Sequence, residues 1–241
     1  MAGLYQSGEY LARNPTWHTE DSPWKARHVA SLLQRHGLKP QRVAEVGCGA
    51  GEVLVQLRST LPQGVDFVGY DVSPQAIELC RPKEAPGLSF RLGDLTREAS
   101  ETFDLVLVMD VVEHVDDCHG FLRGIAKRAP WALIHVPLEL TALRVLRGSP
   151  LMATRRAFGH LHYFTRDTLH ATLDESGHRV VDETYTDLAK APGAIRSLPR
   201  RLWALLRSGA FTLAPHLTVR ALGGYSLLVL TRTDAAEGSR G

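Results

Sequence analysis

The chain has 241 residues, 44% hydrophobic and 22% charged, an ordinary globular composition that excludes disordered, collagenous and membrane-embedded classes. A net charge of +2 is too small to mark a nucleic-acid binder, and three cysteines at wide spacings, Cys48, Cys80 and Cys118, give neither a disulfide framework nor a zinc pattern. The charge is uneven: residues 1–137 hold 14 Lys/Arg against 17 Asp/Glu, whereas residues 138–220 hold 12 against 7, which points to a solvated basic face or to an anionic ligand on that side.

No apolar run approaches the roughly 18–20 residues that span a bilayer. The opening MAGLYQSGEYLARNPTW lacks the charged head and apolar stretch of a secretory signal, so the cytoplasm is the expected compartment. Trp17-His18-Thr19-Glu20-Asp21-Ser22-Pro23-Trp24-Lys25 is dense in aromatic and ionisable residues. Trp17, His18 and Trp24 are therefore candidate substrate contacts, or the core anchors of a lid. Ser22 before Pro23 reads as an N-cap with proline at the first helical position, opening a helix that runs to about His36 and stops at Gly37.

From Gln41 short β-rich runs alternate with helical stretches. Strands are expected at Val43–Val46, Val65–Tyr70, Leu88–Leu92, Phe103–Met109 and Trp131–Val136, with helices starting near Gly51, Pro74, Glu98 and Cys118. Continuous β-branched runs are those of buried parallel strands, so the expected fold is a doubly wound α/β sheet. Thr165 can cap a helix over Arg166–Glu175, closed by Gly177. His178–Thr186 and Gly224–Thr231 look like two further strands, and the long stretch between them should carry structure of its own. The boundaries that follow are an N-terminal lid over 1–40, a main domain over 41–233 with insertions at about 137–165 and 187–222, and a flexible tail over 234–241.

The strongest local signal is Glu45-Val46-Gly47-Cys48-Gly49-Ala50-Gly51, a strand entering a glycine turn and then a helix. Glycine permits a tight turn and close backbone approach to a ligand, and the helix N-terminus presents free N–H groups. The pattern is G-x-G-x-G, not the G-x-G-x-x-G of dinucleotide enzymes. Asp71 ends the second strand twenty residues after Gly51, a spacing that suits hydrogen bonds from ribose hydroxyls; a helix-capping role is its alternative. Gly93-Asp94-Leu95 follows the third strand, where a carboxylate can accept from an exocyclic amine and the next N–H can meet a ring nitrogen. The fourth strand runs into Asp110-Val111-Val112-Glu113-His114-Val115. Strand ends on one edge of such a sheet converge on one crevice.

EVGCGAG, GYD, GD and FDLVLVMDVVEHV, in this order and spacing, resemble the successive cofactor motifs of class I S-adenosylmethionine-dependent methyltransferases. The likeness spans roughly residues 22–185 and is nearest to small-molecule enzymes of the ubiquinone-biosynthesis O-methyltransferase type. It implies a seven-stranded Rossmann-like sheet of order 3-2-1-4-5-7-6 with the seventh strand antiparallel, and S-adenosyl-L-methionine as cofactor. By the same resemblance Glu45, Gly47 and Gly49 surround the methionine portion, with Cys48 and Gly51 in the same turn. Asp71 holds the ribose with Val72 beside it, Asp94 and Leu95 read the adenine, and Asp110 and Val111 line the floor.

A sulfonium methyl is already electrophilic, so in-line placement supplies much of the acceleration. For an oxygen acceptor a base helps, and His114 is placed for it, with packing or local capping as its alternative reading; Glu113 competes for the role or orients a neighbour. In Gly159-His160-Leu161-His162-Tyr163-Phe164-Thr165, alternation puts His160, His162 and Phe164 on one face. Metal binding is not expected there, because no Cys or acid stands at ligand spacing. A substrate-facing histidine is the better reading, since similar segments wall the acceptor pocket in the family.

Arg144, Arg147, Arg155 and Arg156 lie between Thr141 and His160 with no acid among them, and arginine's planar fork suits carboxylate or phosphate. Arg155 and Arg156 are therefore candidate contacts to an anionic hydroxyl- or carboxyl-bearing metabolite or glycan intermediate. On a helix from Pro199, Leu202, Leu205 and Leu206 form an apolar stripe flanked by Arg200 and Arg207. The expectation is a lid or dimer helix packed on the domain with its arginines in water, in preference to a peripheral helix on an anionic membrane. Two rival functions are an NAD(P)-dependent Rossmann oxidoreductase and a non-catalytic S-adenosylmethionine-binding protein; the missing G-x-G-x-x-G and the presence of Asp94 argue against the first.

Overall fold

The computed structural model describes residues 19–98, 101–192 and 197–233. Seven strands form one sheet of order β3-β2-β1-β4-β5-β7-β6: β1 (Arg42–Val46), β2 (Asp66–Asp71), β3 (Leu88–Leu92), β4 (Leu105–Met109), β5 (Trp131–Pro137), β6 (His178–Asp187) and β7 (Tyr225–Thr233). The first five pair in parallel, while β7 runs antiparallel between β5 and β6. This is the sheet that the family resemblance implies.

The apolar runs explain the layers. Successive residues of a strand face opposite sides, so Leu105 and Leu107 enter one core and Val106 and Val108 the other. The first core is closed by helices α1 (Ser22–Arg35), α2 (Glu52–Thr60) and α3 (Pro74–Cys80), through Val29, Leu32, Leu54, Leu57 and Ile77. The second is closed by α4 (Cys118–Ala126) and α7 (Arg166–Asp174), through Leu122, Ile125, Leu169 and Leu173. Because β1 and β4 are neighbours whose following helices go to opposite faces, the sheet has its switch point between them, where a crevice opens at the strand ends.

Two helical excursions interrupt the alternation. The first, after β5, holds α5 (Ala142–Arg147) and α6 (Ser149–Phe158); the second, between β6 and β7, holds α8 (Leu198–Leu213) and α9 (Pro215–Leu222). Among the described residues no helix is long and apolar enough to cross a membrane.

Thr165 caps α7 in a reciprocal capping box with Thr168, as its position foretold. Other expectations fail locally. The helix expected from Glu98 is absent from the described residues: Asp94 caps one 3-10 turn, Leu95–Arg97, after which Glu98 is extended. The stripe on α8 is turned the opposite way from the expectation. Leu202, Leu205 and Leu206 are 56%, 70% and 68% exposed, whereas Arg207 is 6% exposed. Arg207 pairs with buried Asp187 and lies over the Tyr225 ring, 4.7 Å from its centroid. One turn on, Phe211 stacks on the same ring at 4.6 Å. A buried charge pair and an aromatic stack thus fix which face of α8 looks inward.

Candidate active site

The ends of β1, β2, β4 and β5, the first turn of α1 and the helices after β5 enclose a cavity of about 590 Å³. Beside the ends of β1 and β2 the chain reverses after Val46. The Gly47 and Cys48 amides donate to the Tyr70 carbonyl at 2.8 and 3.0 Å. Gly47 has φ +69°, and a Cβ there would stand 2.5 Å from Val111, so only glycine fits between strand end and floor.

Asp71 braces this turn. One carboxylate oxygen accepts from the Gly49 amide at 2.9 Å, the other from the Ser73 amide at 2.8 Å. Ser73 itself caps α3, so Asp71 holds the two loops together and still presents lone pairs to the cavity it lines. Burial pushes its carboxyl up to about 6 against those two amide hydrogen bonds.

Glu45 lies deeper, 2% exposed, and its Oε2 has no hydrogen-bond partner among the described residues. Burial pushes its carboxyl well above the ordinary range, with the nearby Lys25 charge opposing. A buried carboxyl with one oxygen unspent fits a ligand ammonium group. Asp94 lines the far end, one of its oxygens accepting from the Thr96 amide and hydroxyl at 2.9 and 2.6 Å.

The floor is a charged relay. Asp110 has φ +58°, a conformation non-glycine residues rarely adopt, at a cost of order 1–3 kcal/mol. It is held there by the Lys25 ammonium at 2.7 Å and by the His135 Nδ1–H at 2.6 Å, while His135 Nε2 meets Thr186 Oγ1 at 2.8 Å. Burial works to raise the Asp110 carboxyl, but the His135 and Lys25 charges outweigh it and hold it well below the usual carboxylate range.

On the opposite side Glu113, His114 and His160 face one another. Burial pushes the Glu113 carboxyl up. Burial, with His160 beside it, lowers His114 to about 4, so the imidazole is neutral at pH 7. His160 donates from Nδ1 to Glu139 Oε2 at 2.6 Å, and Arg144 grips the other Glu139 oxygen. Burial would raise Glu139, but His160 and Arg144 outweigh it and keep it low.

Glu45, Gly47, Cys48, Gly49, Asp71, Val72, Asp94, Asp110, Val111, Glu113, His114, His160 and Trp24 all line this one cavity. Gly51 and Leu95 do not line it: Gly51 sits at the left-handed N-cap of α2, and Leu95 is fully buried in the core. His162 turns away because the segment is not a strand, and its Nε2 donates to the Val115 carbonyl at 2.8 Å. Arg155 and Arg156 are exposed on α6, outside the lining. Trp17 and His18 lie outside the described residues. Sequence reasoning missed Lys25, His135, Glu139 and Thr186. A histidine and an acid at the end of β5, on the edge already inferred to bear the site, were a usable signal for two of them.

The sheet order with a glycine turn and an acid-lined crevice at its switch point defines the Rossmann-like methyltransferase class. A family model described as a methyltransferase domain matches residues 17–183, and the chain belongs to that family. A magnesium-protoporphyrin O-methyltransferase of Rhodobacter capsulatus is 33% identical over 107 residues, 42% of this chain and 46% of its own length. A ubiquinone biosynthesis O-methyltransferase of Sinorhizobium fredii is 31% identical over 164 residues, 61% and 63% of the two chains. The chain thus spans about half to three-fifths of these relatives. In fold it is similar to the magnesium protoporphyrin IX methyltransferase of Synechocystis PCC 6803, solved with bound SAH, with a TM-score of 0.58 at 15% identity over 88% of this chain and 83% of that one.

Proposed function

We propose that this chain transfers the methyl group of S-adenosyl-L-methionine to an oxygen of a small anionic molecule. The observation that carries the reading is the cavity's cofactor side. Buried Glu45, with one oxygen unspent, suits the methionine ammonium. Asp71 suits the ribose hydroxyls, and Asp94 an adenine amine. The cofactor brings an electrophilic methyl on a sulfonium, so the protein's share is to place the acceptor in line with it.

Glu113, His114 and His160 occupy the acceptor side, and we assign activation of the acceptor oxygen to them. His114→Ala then lowers turnover by roughly 10²–10⁴-fold while cofactor affinity stays near wild type. The acceptor's anionic character rests on α5 and α6, which carry Arg144, Arg147, Arg155 and Arg156 and no acid; Arg144 reaches the cavity wall. A methyl acceptor that proved neutral, in a screen of metabolite extracts with labelled donor, would overturn this part. Exposed Leu205 and Leu206 on α8, in a stretch from 188 to 222 whose charged residues are all Lys or Arg, favour a peripheral contact with an anionic bilayer over a homodimer. Three unpaired thiols are in keeping with a cytoplasmic setting.

The direct test is a thermal shift. S-adenosylhomocysteine at 100 times its dissociation constant adds about 2.7 kcal/mol of stability, and NAD adds none. A shift with NAD alone would overturn the reading in favour of an oxidoreductase. Asp71→Ala should fold and bind S-adenosylhomocysteine more weakly; normal affinity would remove the ribose contact.

A further inference from the structure

Two of the three thiols meet beneath the glycine turn. Cys48 lies within the turn and lines the cavity, and Cys80 is fully buried at the end of α3. Both sulfurs converge on one backbone oxygen, the Gly49 carbonyl, Cys80 Sγ at 3.2 Å and Cys48 Sγ at 3.9 Å. The two thiols are also within hydrogen-bond reach of each other. Cys118, on α4, belongs to the core on the other face of the sheet.

The surroundings close on the pair. A Cβ at Gly69 of β2 would stand 2.9 Å from Cys48 Sγ, and one at Gly51, the N-cap of α2, 3.0 Å from Cys80 Sγ. The residue that the thiols hold by its carbonyl is the one that Asp71 holds by its amide. A lone buried thiol is ordinary packing. Two in mutual contact, one of them on a cavity wall, stand a single two-electron oxidation away from a covalent link. The Cys80 thiol and burial push the Cys48 thiol well above its ordinary range, so the resting pair stays protonated and reduced until a small oxidant reaches it through the cavity.

We propose that Cys48 and Cys80 form an oxidisable pair, joined as a disulfide by hydrogen peroxide that enters the empty cavity, and that the disulfide and the cofactor exclude each other. In the first step Cys48 gives its proton to water and its sulfur attacks one peroxide oxygen. The O–O bond breaks, hydroxide leaves, and a sulfenic acid forms. The Cys80 sulfur then attacks the Cys48 sulfur; the S–S bond forms, the S–O bond breaks, and the departing hydroxide takes up the Cys80 proton. Two thiols have lost two electrons, and one peroxide has become two waters.

The link removes both thiol hydrogens from the Gly49 carbonyl and draws the turn toward α3, out of the position in which Asp71 braces it. A cofactor seated on the turn covers the Cys48 sulfur in return. Weaker cofactor binding after oxidation and protection of the thiols by the cofactor are thus two sides of one coupling. This exclusion, unlike the pairing of the thiols, rests on the cofactor placement proposed above.

The test uses the full chain, reduced, freed of reductant and exposed to hydrogen peroxide with and without saturating S-adenosylhomocysteine. Peptide mass mapping locates the disulfide before and after dithiothreitol, and calorimetry gives S-adenosylhomocysteine affinity on the same samples. The expected result in ligand-free protein is a Cys48–Cys80 link with Cys118 left out. Affinity for S-adenosylhomocysteine falls by about tenfold or more and returns with dithiothreitol. With S-adenosylhomocysteine present from the start, the link forms about tenfold more slowly or not at all. Cys80→Ser, which keeps a hydroxyl for the Gly49 carbonyl, binds S-adenosylhomocysteine within a few-fold of wild type, so it is folded. Under peroxide it forms no link, and dimedone captures its Cys48 sulfenic acid. Peroxide treatment that oxidises Cys118 while Cys48 and Cys80 remain free thiols overturns the pair. A disulfide that leaves S-adenosylhomocysteine affinity unchanged overturns the exclusion and leaves the methyltransferase reading standing. Reduced protein that forms the link yet never binds S-adenosylhomocysteine overturns the cofactor placement and leaves the thiol pair established.

Discussion

At the scale of single residues, Asp71 decides how the cofactor side responds to pH. Burial pushes its carboxyl up to about 6, above its ordinary value, so the ligand-free fold disfavours the charged form and loses stability as pH rises from about 4 through 6. A ribose hydroxyl that donates to the carboxylate favours the charged form, so binding must remove the proton first. Affinity for S-adenosylhomocysteine is therefore expected to fall about tenfold as pH drops from 7 to 5. Glu45 faces the same cavity and is pushed up further, so Asp71→Asn is the control that assigns the effect. If calorimetry on Asp71→Asn gives the same slope as wild type, another group titrates.

The same scale shows what could be read in advance. Glu45, the glycine turn and Asp71 were legible as cavity lining because they stand at the ends of two strands that the sequence marks clearly. Lys25, His135 and Glu139 were not, because each acquires its role across the fold: Lys25, on α1, meets Asp110 at the end of β4, and Glu139 meets His160 across an excursion of two helices. Around His160, sequence reasoning looked only for an acid close to it in the chain, whereas the fold brings Glu113 and Glu139 beside it. His162 shows the converse error, since strand-like alternation was assumed for a segment that is not a strand.

At the scale of elements, α1 joins the core to the cavity mouth. Its later turns are anchored by Val29, Leu32 and Leu33, and its end by Arg35 and His36 on Asp182 of β6. Its first turn instead carries Trp24 and Lys25 over the cavity, where the Lys25–Asp110 pair is the polar tie. Lys25→Met is expected to cost less than the roughly 3–5 kcal/mol of a broken, fully buried pair, because the two side chains remain 15% and 28% exposed. Its effect should be local. Amide exchange should quicken over residues 22–26 while Val29–Leu33 stays as protected as in wild type. Uniform loss of protection along the helix would mean that the pair anchors the whole element and not only its first turn.

Helix α8 marks the limit of pattern reading at this scale. Its period was legible, since Leu202, Leu205 and Leu206 recur as an amphipathic stripe. The side that faces the protein was not. The rule that the apolar stripe turns inward is overridden by the Arg207–Asp187 pair and the Phe211–Tyr225 stack, both made with residues of the neighbouring strands β6 and β7.

For the whole molecule, the consequence is an apolar surface left open where bases are concentrated. Leu198, Leu202, Trp203, Leu205, Leu206 and Leu213 are between 44% and 89% exposed. Residues 140–165 and 188–222 carry ten Lys/Arg and no Asp/Glu. Arg144 and Arg207 are spent on Glu139 and Asp187, but the remaining excess of bases beside exposed leucines would suit a bilayer bearing anionic headgroups, with the leucines in its interface. A second copy of this face would set like charges against one another, at a cost. The chain is therefore expected to co-sediment with anionic vesicles at low salt, to leave neutral vesicles unbound, and to be released as ionic strength shortens the reach of the charges to about 8 Å. Leu205→Glu with Leu206→Glu should abolish sedimentation and leave S-adenosylhomocysteine affinity unchanged, because neither leucine lines the cavity. Equal recovery in the supernatant with anionic and neutral vesicles would dispose of the bilayer as the cover for this face.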